Sequence, residues 1–338
     1  MKATVSQTQA KEGRRRVLVL SREAAMAGSE VRGSPCGANP TPGCIQRGIT
    51  CIRLVRPEFD NGNSWLKLFD YDVGQPTVNR LKQRAAEIYR GAYEEIKGTL
   101  LHGKLIHADE TQMSTKGSNG YVWVFTSMEE VIYLWSANRE GRVAEEFLRG
   151  FHGVLVSDFY SAYDSISCAQ QKCLIHLIRD LNEDVLDEPF NEEMKTLVRE
   201  FAELLKPIIE TIDRYGLKSH FLKKHKVQAA RFYDRLGKRE YDTELARRAK
   251  ERFRRCQEKL FTFLDHDGIP WNNNNAEHAV KTFAALRNLI EPHSTESSIH
   301  DYLVLLSICQ TCEYRGIDFL QFLRSGEKRV DDYIRKRQ

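Results

Sequence analysis

Apolar residues first fall into a sustained rhythm after Pro76, where Val78, Leu81, Ala85, Ile88, Ala92 and Ile96 recur at threes and fours through PTVNRLKQRAAEIYRGAYEEIKGTL. That spacing lines one stripe of an α-helix, and Pro76 suits a first turn, where its missing N–H costs nothing. From Lys104 the character changes. KLIHADET, GYVWVFTS and VIYLWSANRE are short, rich in β-branched and aromatic residues, and separated by the turn material KGSNG and MEE, so three consecutive antiparallel strands are predicted. GRVAEEFLRGF reads as a helix, GVLVSDFY as a fourth strand, the polar stretch after it as a turn, and QKCLIH as a fifth strand.

From Leu177 to Leu264 the patterns are helical and carry no strand signal, until NNNNAEHAVKTFAALRNLI places a run of asparagines ahead of one more periodic helix. Three strands, a helix, a strand, a turn, a strand and a closing helix is the order of a ribonuclease-H-like α/β mixed sheet. The long helical stretch is then a large α-helical insertion before the last catalytic helix. Residues 1–65, with RGSPCGANPTPGC at their centre, show no such period and read as a poorly ordered or rearranged segment. The organisation expected is a helical connector over 66–100, the first part of a catalytic core over 101–176, the helical insertion over 177–265, and closing and C-terminal helices over 266–338. Asn79, Arg80, Lys82 and Arg84 leave open a second reading of the connector, as the remnant of a DNA-reading helix-turn-helix.

Composition narrows the class. A chain of 338 residues, 41% hydrophobic, buries a substantial core as one large domain or two ordinary ones. Arg14, Arg15 and Arg16 precede only the short apolar stretch VLVL, and no run is long enough to cross a bilayer. Membrane insertion and secretion are therefore not expected, and a cytoplasmic location is. The eight cysteines are scattered, unlike the framework of a small secreted fold. Cys309 and Cys312 form a CxxC inside the apolar helical segment YLVLLSICQTCEYRG, where buried core thiols are the better reading than a metal site.

Charge is distributed unevenly. The net is +4, yet the stretch from Arg214 to Lys259 holds sixteen Lys or Arg against six Asp or Glu, +10 by itself, leaving −6 elsewhere. Clustered cations gain affinity for phosphate backbones through counterion release. Lys223, Lys224, Arg247 and Arg248 are therefore candidate DNA contacts, with a solvated helical face as the alternative.

Three carboxylates carry the candidate chemistry. Asp109, in HADET, is expected at the end of the first strand, and Asp158, in VLVSDFYSAY, at the end of the fourth. If those strands are parallel neighbours, the two acids stand side by side, a costly arrangement without a compensating cation. Magnesium or manganese suits oxygen ligands, and a pair of such ions about 3.5–4 Å apart can stabilise both attacking and leaving oxygens of an in-line phosphoryl transfer. Glu277 follows WNNNN at the start of a helix, where the asparagines supply N-cap groups and the helix terminus favours negative charge. Any one of these acids alone is unremarkable. Together, with Asp158 following Asp109 by 49 positions and Glu277 a further 119 on, they form a pattern.

At these residues the sequence resembles the insertion-sequence-66 family of DDE transposases, from about Pro76 to about Val330. HADET resembles the family's first acidic motif, VLVSDFYSAYD its second and WNNNNAEHAVKTFAALRN its third. The resemblance implies that Asp109 and Asp158 are metal ligands with Glu277 the third acid, around two Mg²⁺ (or Mn²⁺) ions. KCLIHLIRDL resembles the His-and-basic segment after the second Asp, which makes His176 and Arg179 candidates for contacts near the site. Asn274 and Asn275 would orient the Glu277 turn, and Lys281 and Arg287 would face DNA phosphates. The mechanism implied is cleavage at a transposon end by metal-activated water, after which the freed 3′ hydroxyl attacks target DNA. No covalent protein intermediate is required, and packing or base stacking accounts for Tyr160 and Tyr163 beside Asp158. Terminal inverted repeats and target DNA are the implied partners, with a homo-oligomer assembling on them. One departure stands out: Cys36, Cys44 and Cys51 lack the paired spacing of the family's N-terminal zinc element, so a truncated or rearranged copy is expected. The alternatives are an inactive DNA-binding remnant, or a ribonuclease-H-like nuclease acting on RNA or hybrids.

Overall fold

The computed structural model describes residues 75–115, 118–290 and 295–337; the N-terminal segment 1–65, with Cys36, Cys44 and Cys51, lies outside them. A long first helix, α1 (Gln75–His102), leads into three antiparallel strands, β1 (Leu105–Thr115), β2 (Ser118–Thr126) and β3 (Val131–Ser136). Helix α2 (Gly141–Phe147) crosses to β4 (Val154–Ser157), a single 3₁₀ turn covers Ser161–Tyr163, and β5 (Ala169–Lys172) completes a sheet ordered β3-β2-β1-β4-β5. β1 pairs in parallel with β4 and β4 with β5, β3 points the same way, and β2 alone runs against the other four. The architecture is thus mixed α/β around one five-stranded mixed sheet.

Two departures from the sequence reading follow from pairing. β1 does not stop near Asp109 but runs on to Thr115, because β2 offers it an antiparallel partner along that whole length. The fifth strand stops at Lys172, and CLIH belongs to the next helix, α3 (Leu174–Asp187). There the Leu174 N–H bonds to Trp271 O (2.9 Å) instead of to a strand. Gly153 lets β4 start close beside β1: a Cβ there would lie 2.6 Å from the Lys104 carbonyl oxygen, which accepts the Val154 N–H at 2.9 Å.

After α3 come α4 (Glu192–Tyr215), α5 (Ser219–Leu222), α6 (Lys226–Lys238), α7 (Glu244–Arg255) and α8 (Gln257–Leu260), with 3₁₀ turns at Lys223–His225 and Thr262–Leu264. Then follow α9 (Asn274–Ile290), α10 (Glu296–Tyr314), α11 (Phe319–Ser325) and α12 (Val330–Arg335). Buried apolar side chains form two clusters. One joins α1, β1–β3, α2, α9 and α10. The other seats Leu105, Val154 and Val156 of the sheet against α3 and the helices from α4 to α8.

α1 packs along α10 and β3, but with Ala86, Tyr89, Ala92, Tyr93, Ile96 and Leu100 inward. Leu81 and Ile88, expected on the buried stripe, are 57% and 40% exposed. Tyr89 and Tyr93 displace them because two rings fill more of the interface, and the Tyr93 hydroxyl also donates to Tyr133 O (3.1 Å). Cys312 is fully buried and Cys309 partly buried in α10, in keeping with core thiols.

The centre of the helical cluster is Phe201 of α4, Phe232 of α6 and Phe253 of α7, with ring centroids 4.9–5.8 Å apart and each at most 1% exposed. Phe253→Ala is expected to cost about 3–5 kcal/mol, the range for emptying a closed aromatic site. A shift of the denaturant midpoint smaller than about 1 kcal/mol by linear extrapolation would show that these helices do not share one core.

Candidate active site

The parallel pairing of β1 and β4 places the first two acids. Leu105, Ile106 and His107 face Val154, Leu155 and Val156, and the same register carried two residues further sets Asp109 level with Asp158. Alternation along β1 divides its acids. His107, Asp109 and Thr111 share one face; His107 and Thr111 bond to residues of α9 or its lead-in, Asn273 and Arg287. Ile106, Ala108 and Glu110 lie on the other face, toward Tyr163.

Asn273 fixes the third acid. Its Nδ2 donates to Ala108 O (2.9 Å), so its Oδ1 must accept from His107 Nδ1–H (3.1 Å), which sets the histidine tautomer. Its own N–H donates to Cys173 Sγ (3.2 Å), and its carbonyl accepts the Glu277 N–H (3.1 Å). One fully buried asparagine therefore ties β1, the start of α3 and the first turn of α9 together. Burial drives the His107 pKa down to about 4, against the Asn273 bond, so its ring is neutral.

Electrostatics separates the neighbouring acids of β1. Asp109 is pushed up to about 7, first by burial and next by Glu110, with Asp158 and Glu277 adding to the rise and the Glu110 N–H opposing it at 2.9 Å. Glu110 is also raised by burial, but it is partnered, by the Tyr163 hydroxyl at 2.6 Å and by Arg139 Nε at 3.0 Å. Asp158 Oδ1 accepts the Tyr160 N–H at 2.9 Å. Glu277 Oε1 lies 3.5 Å from His176 Nε2, and Oε2 lies 3.5 Å from Lys281 Nζ.

Among the described residues, the metal-ligating group whose atoms all lie within 4.8 Å of one another is Cys173, His176 and Glu277. The three carboxylates do not form a group that close. Their mutual repulsion, felt at Asp109, is what divalent cations would relieve, and a set of carboxylate oxygens fits hard ions.

The remaining sequence candidates divide. His176, expected at a sheet end, sits in the first turn of α3, because β5 ends four residues before it. Arg179 is exposed on the same helix. Asn275 Nδ2 donates to Ser127 O in the β2–β3 turn, whereas the Asn274 N–H bonds Asn272 Oδ1 (3.2 Å). The asparagine run therefore pins the helix start to the sheet more than it caps it. Lys281 is 74% exposed beside Glu277, while Arg287 donates to Thr111 Oγ1 (3.2 Å) and Gln112 O (2.8 Å), clamping α9 to β1. Lys223, Lys224, Arg247 and Arg248 are exposed. No hydrogen bond or ion pair among the described residues joins these four to the acids.

Sequence reasoning missed three further groups. Lys172, 1% exposed, donates to Ser157 Oγ (3.2 Å) and lies 3.4 Å from Asp164 Oδ1. Burial lowers its pKa, and Asp164 and Asp158 hold it up. Arg252 reaches out of the basic segment to Asp180, its guanidinium 4.4 Å from the centroid of Phe159, next to Asp158. Lys259 Nζ, from the same segment, donates to Asp164 Oδ1 at 2.9 Å. Arg252 and Lys259 fall within the basic segment that charge singles out, and Lys172 stands as the lone cation of the strand AQQK, whereas Asn273 was masked by its identical neighbours.

The raised pKa of Asp109 has a measurable consequence. The folded carboxyl keeps its proton up to about pH 7, the unfolded one only to 3.8. Between those values the folded state binds the extra proton, so stability falls as pH rises, and the full penalty stands above the upper value. In chelator, Asp109→Asn is expected to be the more stable protein by on the order of 2 kcal/mol above about pH 8, allowing for partial exposure, with the advantage vanishing below about pH 4. Denaturant midpoints across that range check it; a difference independent of pH would assign the gain to something other than ionisation.

No curated protein matches this chain. The family model described as Transposase IS66 family matches residues 63–300, a span that includes all three acids, the asparagine run and the helices between them. Covering well over half of the sequence, that match establishes that the chain belongs to the IS66 family of transposases.

Proposed function

We propose that this transposase-family chain is a metal-dependent polynucleotidyl transferase of the DDE type, built on a ribonuclease-H-like core, that cleaves DNA at transposon ends and joins them to target DNA. The observation that carries the reading is the convergence at Asp109, whose carboxyl feels both Asp158 and Glu277 although they lie far away in sequence. The strand order β3-β2-β1-β4-β5, with a parallel β1–β4 pair at its centre, supports the fold assignment. The helices between α3 and α9 are read as an insertion within that core.

Asp109, Asp158 and Glu277 would hold two Mg²⁺ or Mn²⁺ ions, which when bound supply an activated water and stabilise the charge of an in-line phosphoryl transfer. Asn273 and the β1–β4 register hold the acids in place. Lys172 orients the loop after Asp158 through Ser157 and Asp164, and neutral His107 adds no charge to the pocket. On this reading DNA lies along the basic segment, which Arg252 and Lys259 bring against the loop that carries Asp158. Lys281, Arg179 and the exposed Lys223, Lys224, Arg247 and Arg248 would contact phosphates. Multimers pairing two ends, acting in the cytoplasm, complete the proposal. No helix among the described residues is long and apolar enough to cross a membrane.

The test is cleavage and strand transfer on transposon-end DNA in Mg²⁺, Mn²⁺ or chelator. Products are expected only with metal. Alanine at Asp109, Asp158 or Glu277 is expected to cost more than the about 10–100-fold that losing a supporting group such as Asn273 costs. Full activity in Asp109→Ala would sink the assignment. Salt-sensitive binding with no cleavage of any substrate would instead leave a DNA-binding remnant, which the +10 segment by itself supports. Preferential cleavage of an RNA–DNA hybrid would point to a nuclease.

A further inference from the structure

Among the described residues, the close-set group of metal-ligating atoms is not made of the three acids. Cys173 immediately precedes α3 and His176 lies in its first turn, and a spacing of three brings sulfur and imidazole to one side of the helix. The first turn of α9 adds Glu277 from across the cleft, so that all three ligand atoms lie within 4.8 Å of one another. The fold holds them there: the Asn273 N–H points at Cys173 Sγ at 3.2 Å, and the Asn273 carbonyl anchors the Glu277 backbone. Glu277 Oε1 is buried without a hydrogen-bond partner among the described residues. Such groups ordinarily find one.

We propose that Cys173, His176 and Glu277 form a second, softer cation site that takes Zn²⁺ or a similar borderline ion and, when filled, withdraws Glu277 from the hard-ion pair. The donor set decides the ion. Thiolate, imidazole and carboxylate are zinc ligands, and three of them from protein leave a fourth position open. Magnesium, which demands oxygen, gains nothing from sulfur or nitrogen here. Geometry agrees. Tetrahedral zinc needs about 3.4 Å between a nitrogen and an oxygen ligand, and His176 Nε2 already stands 3.5 Å from Glu277 Oε1. As the metal–sulfur bond forms, the Cys173 thiol proton leaves to bulk water. Because Glu277 cannot serve both sites fully, zinc becomes an inhibitor. That consequence rests on the catalytic reading of Glu277, whereas the binding itself does not.

The experiment titrates metal-free full-length protein with Co²⁺, an optical stand-in for zinc. Expected are a thiolate-to-cobalt charge-transfer band in the near ultraviolet and tetrahedral bands in the visible, saturating at one ion per chain and displaced by Zn²⁺. Cys173→Ser should abolish the charge-transfer band. His176→Gln, at a part-exposed position, should weaken binding while the thiolate band survives at high Co²⁺, which covers the case of a poorly folding serine variant. No band with equimolar Co²⁺, or a band that persists unchanged in Cys173→Ser, would overturn the site. In cleavage assays Zn²⁺ should inhibit the parent in Mg²⁺ and leave Cys173→Ser less affected; equal inhibition of both would overturn the competition. A parent that never cleaves but gives the cobalt spectrum would defeat the transposase mechanism and leave this site standing.

Discussion

Holding like charges together away from water is the constraint from which the rest of this molecule follows. Asp109 is largely buried and feels Glu110, Asp158 and Glu277, and nothing in its own strand compensates it beyond one backbone N–H. A fold can keep such a cluster only if other interactions over-determine its geometry. Here they are the parallel β1–β4 register, the Gly153 contact that allows β4 to begin there, and the four hydrogen bonds of Asn273. The same repulsion that destabilises the cluster would draw divalent cations to it.

The sheet also sorts acids by face. Asp109 and Glu110 are adjacent in sequence and both raised by burial, yet Glu110 points to the side where Tyr163 and Arg139 neutralise it. A period of two converts neighbours in sequence into occupants of opposite faces, leaving Glu110 with side-chain partners and Asp109 with a single backbone N–H. Tyr163 is consumed in the same way, its ring set edge-on to Trp123 at 6.0 Å and its hydroxyl spent on Glu110.

The helices from α4 to α8 carry the charge asymmetry and a separate aromatic core, yet they are not independent of the sheet. Leu105, Val154 and Val156 belong to their cluster, and Arg252 and Lys259 project from the basic segment onto the loop beside Asp158. Coupling a cationic surface to the carboxylate cluster through packed elements keeps its charges in fixed relation to the acids, which a flexible linker would not do.

Local pattern determined much of this. The helix from Pro76, the three antiparallel strands, the fourth strand, the strandless helical stretch and the family motifs were legible because periodicity and β-propensity are properties of neighbouring residues. Tertiary structure alone decided the rest. Which tyrosines of α1 turn inward depends on the shape of α10 and β3. β1 continues past Asp109 because β2 is there to pair with it, and the sequence CLIH forms the entry to a helix because Trp271, nearly a hundred positions on, accepts its first N–H. Asn273, indistinguishable among four asparagines, acquires its role only when His107, Ala108 and Cys173 surround it. Spacing along a chain can nominate acids, but how far each is desolvated, and whether its neighbour is a guanidinium or another carboxylate, is settled by contacts between residues that the sequence keeps apart.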